Sequence, residues 1–283
     1  MHFLCPSCRE ALPASMACVC GQSFGFRDGV LVLLEPGLGR RLDQFTQAFS
    51  AVRAVENRRL LDEQAYEALP FGLIVQGDFQ WRLRQYDLAV VRRLLSDRRG
   101  QRVLDIGAWN GWLSNRMADD GHSVTAIDYF VDEFDGLGAK KFYSTPWQAI
   151  QMDLTDLHVL DENFDVIILN RCLQFFPQPA GYVAMAKAKL APGGLLIVTG
   201  MELFRDPHVK AARVADMLHV HRQRYGFELF LAPTKGYLDF EDKAQLQAQG
   251  MEVKIYRPLL PANAKAMLWP TLPYHAYGVY LHG

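Results

Sequence analysis

Apolar positions along this chain change their spacing three times, and each change predicts a different kind of element. Between residues 100 and 200, short apolar runs recur. Strands are expected at 102–106, 123–127, 148–152, 164–169 and 194–199, with helix-length segments between them. Alternating β and α units predict a parallel sheet with right-handed crossovers. Pro192-Gly193-Gly194 marks the turn into the fifth strand. The crossover at 129–147 is irregular, with two glycines and a proline. It reads as a short helix plus a loop at the carboxyl edge of the sheet, where open α/β sheets bind ligands.

Residues 37–99 carry helical spacing instead. FTQAFSAVRAVENRRLLDEQAYEAL, residues 45–69, holds no Gly or Pro and is expected as one helix. Pro70-Phe71-Gly72 breaks it. Gly77 and Asp78 then precede a second helix, FQWRLRQYDLAVVRRLL. Residues 201–238 are again helix-rich, a second candidate lid. FEDKAQLQAQG is a helix closed by Gly250, and MEVKIYRPL and HAYGVYLHG read as two closing strands. The expected division is 1–36 as a small module, 37–99 as a helical cap, and 100–283 as the main domain with 201–238 inserted as a lid.

In the first module, FGFRDGVLVLL reads as a hairpin with Asp28-Gly29 at its turn. Ahead of it lie four of the five cysteines. Cys5 and Cys8 form one metal hook, Cys18 and Cys20 the other, with Gly21 able to close a tight thiolate knuckle. So few residues bury too little core to stand alone, and a tetrahedral zinc on the four thiolates would stabilise them. The competing reading is four reduced thiols packed as small hydrophobes. A secreted disulfide framework would need an export signal, and MHFLCPSC has no basic segment followed by an apolar one. A cytoplasmic location is therefore expected.

Composition adds limits. Half of the 283 residues are apolar, enough for a sizeable core, and the net charge of −1 carries no global signature of nucleic-acid or membrane binding. Residues 103–200 hold 6 Lys+Arg against 12 Asp+Glu, whereas 37–102 hold 12 against 8. The mild positive excess thus lies outside the sheet. No apolar run is long enough to span a bilayer.

The most informative stretch is VLDIGAWNGWLS, Val103 to Ser114, an apolar run turning through glycine toward a helix. A dinucleotide fingerprint starting at Gly107 would need glycine at 109 and 112, where this chain has Trp109 and Trp112. What remains is Asp105, Gly107 and Gly111, followed by Asp128 at the close of the next apolar run. This resembles motif I of the class I S-adenosylmethionine (SAM) methyltransferases. The resemblance implies a Rossmann-like seven-stranded α/β sheet with helical cap insertions. It implies that Asp105 reaches the SAM ammonium, that Gly107 and Gly111 admit the backbone close to the ligand, and that Asp128 accepts from two ribose hydroxyls. It also implies that Asp153 faces the adenine amino group and Leu154 the adenine face. Where the family often has glycine, Trp109 makes a bulkier loop packed beside the ligand or on the sheet.

Asn170-Arg171-Cys172 follows the fourth strand, the lip from which such enzymes present residues to methyl donor and acceptor. An N-P-P-[FYW] sequence there would mark methylation of an exocyclic amino or amide nitrogen. This chain has NRCLQFFPQP, which disfavours that chemistry. Cys172 reads as a buried structural thiol. Candidate catalytic residues are Asn170, Arg171, His208 and Tyr86. Trp81, Arg82, Arg84 and Tyr86 could line a substrate pocket or pack the cap onto the core. His122 reads as a turn residue, and His208, His219, His221 and His275 are weak candidates for a general base.

The N-terminal module is similar to the zinc ribbon of some bacterial methyltransferases, and the combination resembles the 23S ribosomal RNA guanine-N1 methyltransferases. Those carry histidine as the fourth zinc ligand, where this chain offers cysteine. Expected partners are therefore a small molecule first and RNA second. DEFDGLGAKKFY is loosely similar to methyltransferases of small or carbohydrate-like metabolites. A SAM-binding scaffold without turnover is the reading from another class. The oligomeric state is not legible.

Overall fold

The structure is a computed structural model that describes residues 2–56, 59–60 and 62–283. The elements in chain order are β1 (Gly25–Arg27), β2 (Val30–Leu33), α1 (Pro36–Val55), α2 (Phe79–Leu94), β3 (Arg102–Ile106), α3 (Trp112–Asp119), β4 (Ser123–Asp128), β5 (Gln148–Met152) and β6 (Phe164–Asn170). There follow α4 (Pro179–Lys187), β7 (Leu190–Phe204), α5 (His208–Tyr225), β8 (Leu238–Asp239), α6 (Phe240–Ala248), β9 (Glu252–Ile255), α7 (Leu260–Leu268) and β10 (Tyr274–Leu281).

One sheet organises the chain, in the order β1-β2-β5-β4-β3-β6-β7-β10-β9. From β5 to β7 all pairs are parallel, and β10 enters antiparallel between β7 and β9. Central strands carry near-continuous apolar runs because both faces are covered. Leu104, Ile106, Ile127 and Ile150 pack on one side, and Val103, Val124, Ala126 and Val166 on the other.

The first 36 residues do not stand apart. β2 pairs in parallel with β5, Val30 opposite Ala149, so the hairpin extends the main sheet at its edge. Leu4 N donates to Val159 O at 2.9 Å, Phe3 is buried in the main core, and Arg9 pairs with Asp156. The Asp28-Gly29 turn has both residues at positive φ, as a two-residue hairpin of this hand requires.

Three expected elements have different bounds. The helix expected at 45–69 begins earlier, at Pro36, whose fixed φ suits a first helical position, and ends at Val55. Residues 57–58 and Leu61 of that stretch lie outside the described residues. Glu63–Ala68 forms a separate 3-10 turn, because the Asp62 carboxylate accepts from Gln64 N and starts a new cap. The fifth strand runs well past residue 199, to Phe204, because β10 supplies partners along it, Tyr274 opposite Leu203. Thus the first residues of the expected lid are strand. MEVKIYRPL ends as a strand at Ile255, since Pro258 lacks a ladder donor and starts a 3-10 turn. Helix α2 matches its reading: Asp78 caps it, accepting from Gln80 N at 2.6 Å. No helix among the described residues is long and apolar enough to cross a membrane.

Candidate active site

A cavity of about 990 Å³ opens at the carboxyl ends of β3, β4, β6 and β7, and α1, α2 and α5 roof it. Its floor is the loop between β3 and α3. Gly107, at φ +68°, turns its N–H onto Ile127 O at 2.9 Å, which closes the loop against β4. A Cβ on Gly107 would lie 2.9 Å from the Cβ of Cys172. Gly111 caps α3 at φ +77°, and a side chain there would overlap the buried Trp147 ring. Both glycines are thus demanded by packing. Gly107 lines the cavity and Gly111 does not.

Two buried carboxylates face the loop. Asp128 accepts from Trp109 N at 2.7 Å on one oxygen and from Phe130 N at 3.0 Å on the other. A carboxylate has about four lone-pair sites, so roughly two remain free, a match for a ribose diol. Asp105 accepts from Ser114 Oγ at 2.6 Å, and its other oxygen has no partner. Burial pushes the Asp105 carboxyl up to about 7, against the Ser114 hydrogen bond. Burial also raises Asp128, against its backbone donors. An orphaned buried oxygen at Asp105 suits a cationic ammonium. The residues present therefore fit a ligand with an ammonium tail and a ribose.

Past the third parallel strand, Leu154 and Thr155 line the cavity. The Asp153 carboxylate turns elsewhere, accepting from the Tyr129 hydroxyl at 2.9 Å and from Thr155 N at 2.9 Å. Asn170 and Arg171 both line the cavity, with Arg171 at φ +56°. Neither is free. Arg171 Nε donates to Asp87 at 2.6 Å, and Asn170 Nδ2 donates to Thr199 Oγ1 at 2.8 Å and to Asp87 at 3.2 Å. Asp87 is fully buried on α2 and also accepts from Tyr256 at 2.6 Å. Tyr256 in turn accepts from Gly200 N at 2.7 Å, and Arg171 lies where a Gly200 side chain would stand.

The remaining sequence candidates separate cleanly. Trp81 and Arg84 line the cavity; Arg82 lies in a small neighbouring groove, and Tyr86 packs against the core. Cys172 donates to Ile106 O at 3.2 Å, and burial with the Asp105 and Asp128 charges raises its thiol well above the ordinary range, which keeps it protonated. His208 is exposed beside Asp206, and none of the described histidines lines the cavity. His122 accepts from Gln101 N at 3.2 Å ahead of β4.

Asp87, Glu202, Lys210 and Arg213 are cavity or cavity-wall residues that sequence reasoning missed. Asp87 had a signal: Leu83, Asp87 and Val90 share one helical stripe, so a carboxylate interrupts an apolar face. Glu202 had none, since its alternation with Gly200 and Phe204 onto the cavity appears only once β7 is known to continue.

Away from the cavity, the four N-terminal thiols converge. All four Sγ atoms lie within 4.8 Å of one another, with Cys8 and Cys18 at 3.3 Å and Cys5 and Cys20 at 3.7 Å. Gly21, at φ +88°, returns its N–H to Cys18 O at 3.0 Å, so the C-x-C hook still makes a knuckle.

A family model described as a methyltransferase domain matches residues 79–228. A ubiquinone biosynthesis O-methyltransferase from Actinobacillus pleuropneumoniae is 30% identical over 173 residues, 56% of this chain and 71% of that protein. A demethylmenaquinone methyltransferase from Tropheryma whipplei is 29% identical over 137 residues, 48% of this chain and 54% of that protein. Among solved structures, magnesium protoporphyrin IX methyltransferase from Synechocystis with bound S-adenosylhomocysteine (SAH) aligns at 16% identity and a TM-score of 0.49, covering 83% and 99% of the two chains.

Proposed function

The chain belongs to the class I SAM-dependent methyltransferases, and we propose that its acceptor is a small hydroxylated molecule held in the roofed cavity above the β3–α3 loop. The observation that carries this is the continuity of one chamber. Asp105 and Asp128 lie at its floor, and an apolar wall of Phe175, Phe204, Met217 and Phe230 continues from them. The relative named as an O-methyltransferase of ubiquinone biosynthesis supports a hydroxyl acceptor. SAM supplies an electrophilic methyl on a sulfonium that is already a good leaving group.

This chain's residues then have to bind, align and remove a proton. Asp128 holds the ribose, Asp105 the ammonium, and Leu154 the adenine face. Gly107 and Trp109 shape the loop between them. Asp87 fixes Arg171 and Asn170 at the lip, so that the acceptor meets a preset edge, and alignment of this kind contributes roughly 7–11 kcal/mol. The acceptor hydroxyl loses its proton as its oxygen bonds to the methyl carbon and the sulfur–carbon bond breaks. Glu202 is the base we assign, because it lines the cavity and stands opposite His275 on β10, with no Lys or Arg paired to it among the described residues. Asp135 is paired with Arg53, and Asp78 caps α2.

An RNA acceptor has less support, since a base-reading surface needs a basic open face. The four cysteines fit a structural zinc, which would hold the finger against the sheet edge. Elemental analysis of purified protein should find about one zinc per chain; no metal, with all four thiols freely alkylated, would refute the site.

The main test is binding and turnover. Asp128→Ala removes charge-assisted bonds worth about 1.5–3 kcal/mol and should weaken SAH binding by one to two orders of magnitude in calorimetry. Labelled methyl from SAM should reach hydroxylated aromatics. Methylation of a defined ribosomal RNA base, with none on small phenols, would overturn the acceptor assignment.

A further inference from the structure

Helix α5 presents two cations to the chamber, and no acid there balances them. Lys210, Arg213, Val214 and Met217 all line the cavity, and their spacing puts them on one helical stripe. Lys210 is half-buried, its ammonium 5.7 Å from the Phe204 ring, which is itself part of the cavity wall. Arg213 is exposed. Neither makes an ion pair among the described residues, whereas Arg222 on the same helix pairs with Glu228 and does not line the cavity. The acids nearby have other roles. Asp206 holds His208, Asp135 holds Arg53, Asp78 caps α2, and Asp105 and Asp128 belong to the floor. Asp216, one turn beyond Arg213, is exposed and forms no ion pair with it among the described residues.

These cations stand away from the cofactor floor. Asp105 lies on β3 and Asp128 on β4, whereas Phe204 ends β7, and β6 separates β3 from β7. Neighbouring strands lie about 4.8 Å apart, so β7 runs roughly 10 Å from β3. Glu202 and Phe204 both line the cavity from β7. Residues two apart on one strand face are separated by roughly 7 Å, the span of one aromatic ring with a substituent at each end. Glu202 therefore marks one end of such a ring, and the cations beside Phe204 mark the other. Phe175 and Phe230 supply an aromatic wall for it. Two cations against the single Glu202 carboxylate leave this end of the chamber one positive charge in excess. One carboxylate on the acceptor balances that charge, and a guanidinium binds a carboxylate with two parallel hydrogen bonds.

We propose that Lys210 and Arg213 bind a carboxylate carried by the acceptor, which makes the substrate an aromatic hydroxy acid rather than a neutral phenol. Its hydroxyl lies at the Glu202 end. That hydroxyl gives its proton to Glu202 as its oxygen takes the methyl, the sulfur–carbon bond breaks, and SAH leaves as a neutral thioether. The carboxylate at the far end is unchanged, so the product is a methyl ether that keeps its acid. This assignment rests on the reading of the chamber as a hydroxyl-methylating site.

The test is the initial rate of labelled methyl transfer from SAM to dihydroxybenzoate and to its uncharged amide. Wild-type kcat/KM should favour the acid by about 10- to 100-fold. Lys210→Met with Arg213→Met should abolish that preference by lowering kcat/KM for the acid, while SAH affinity in calorimetry stays as in wild type. Lys210→Glu with Arg213→Glu should instead favour dihydroxybenzylamine over the acid. Equal wild-type rates on acid and amide would overturn the proposal and leave the hydroxyl-acceptor reading standing. So would a proportional loss on both substrates in the methionine variant, which would assign the pair to the packing of α5. A base-labile methyl ester as product would overturn it as well, because the carboxylate would then lie at the sulfonium. Wild-type protein that binds SAH and methylates neither substrate would remove the hydroxyl-acceptor reading beneath it.

Discussion

The floor and the roof of the cavity are built in opposite ways. On the floor, Asp105, Gly107, Trp109 and Asp128 span a short stretch of chain and are tied by main-chain bonds, Trp109 N to Asp128 at 2.7 Å and Gly107 N to Ile127 O at 2.9 Å. On the roof, contacts join distant segments. Arg53 of α1 donates to Asp135 at 3.0 Å, Arg59 to Asp132 at 2.6 Å, and Phe45 of α1 meets Phe227 beyond α5 at 5.7 Å. A floor set by local backbone geometry accepts one ligand shape and changes little. A roof of side-chain pairs can be rebuilt for another acceptor while the floor stays as it is.

Asp87 joins the two, so its removal has the largest expected effect. It is fully buried and holds Arg171, Asn170 and Tyr256 together. Asp87→Ala leaves the Arg171 guanidinium uncompensated, a loss of about 3–5 kcal/mol in stability by urea denaturation. If the variant is as stable as wild type, roof and floor are not coupled through this residue.

Asp105→Asn sharpens the floor's side of the contrast. The folded carboxyl is raised to about 7 from an ordinary value near 3.8. Below about pH 4 both folded and unfolded chains hold the proton, and burial carries no penalty. As pH rises from 4 to 7 the unfolded chain ionises first, so wild-type stability falls; above 7 the penalty is complete. Three units correspond to something on the order of 4 kcal/mol. Asparagine should flatten this dependence, leaving the variant relatively more stable at pH 8 while it binds SAM less tightly. Parallel urea curves for the two proteins from pH 4 to 8 would contradict the buried, ionisable role.

The same contrast explains what could be read in advance. The sheet was legible because buried parallel strands are apolar runs with glycine turns, and Asp105, Gly107 and Asp128 fall at fixed places on it. Trp147 was not singled out, although it is what Gly111 makes room for, because the two meet only when β5 lies beside the loop. The roof was legible as helix and only partly as site: of the four residues expected as possible pocket lining, Trp81 and Arg84 line the cavity while Arg82 and Tyr86 do not. Arg82 and Arg84 look alike in sequence, and only the docking angle of α2 sends one into the cavity and the other into a groove. The hairpin's joining of the main sheet was missed for a similar reason: parallel pairing of β2 with β5 leaves no local signal.

The smallest effect is expected on the roof, at Phe230. Its ring meets Phe175 at 5.7 Å and sits 2.9 Å from where a Gly236 side chain would begin, so the loop after α5 is shaped to seat it. It lines the acceptor end of the cavity, and neither Asp105 nor Asp128 touches it through any hydrogen bond. Phe230→Ala removes part of an apolar wall, worth about 1 kcal/mol of acceptor contact. Acceptor KM should rise roughly fivefold, since 1.4 kcal/mol is tenfold. SAM affinity, measured by calorimetry, should stay as in wild type, because the floor is held by its own backbone. A fall in SAM affinity equal to the rise in acceptor KM would mean that the roof organises the floor, and the division drawn between them would fail.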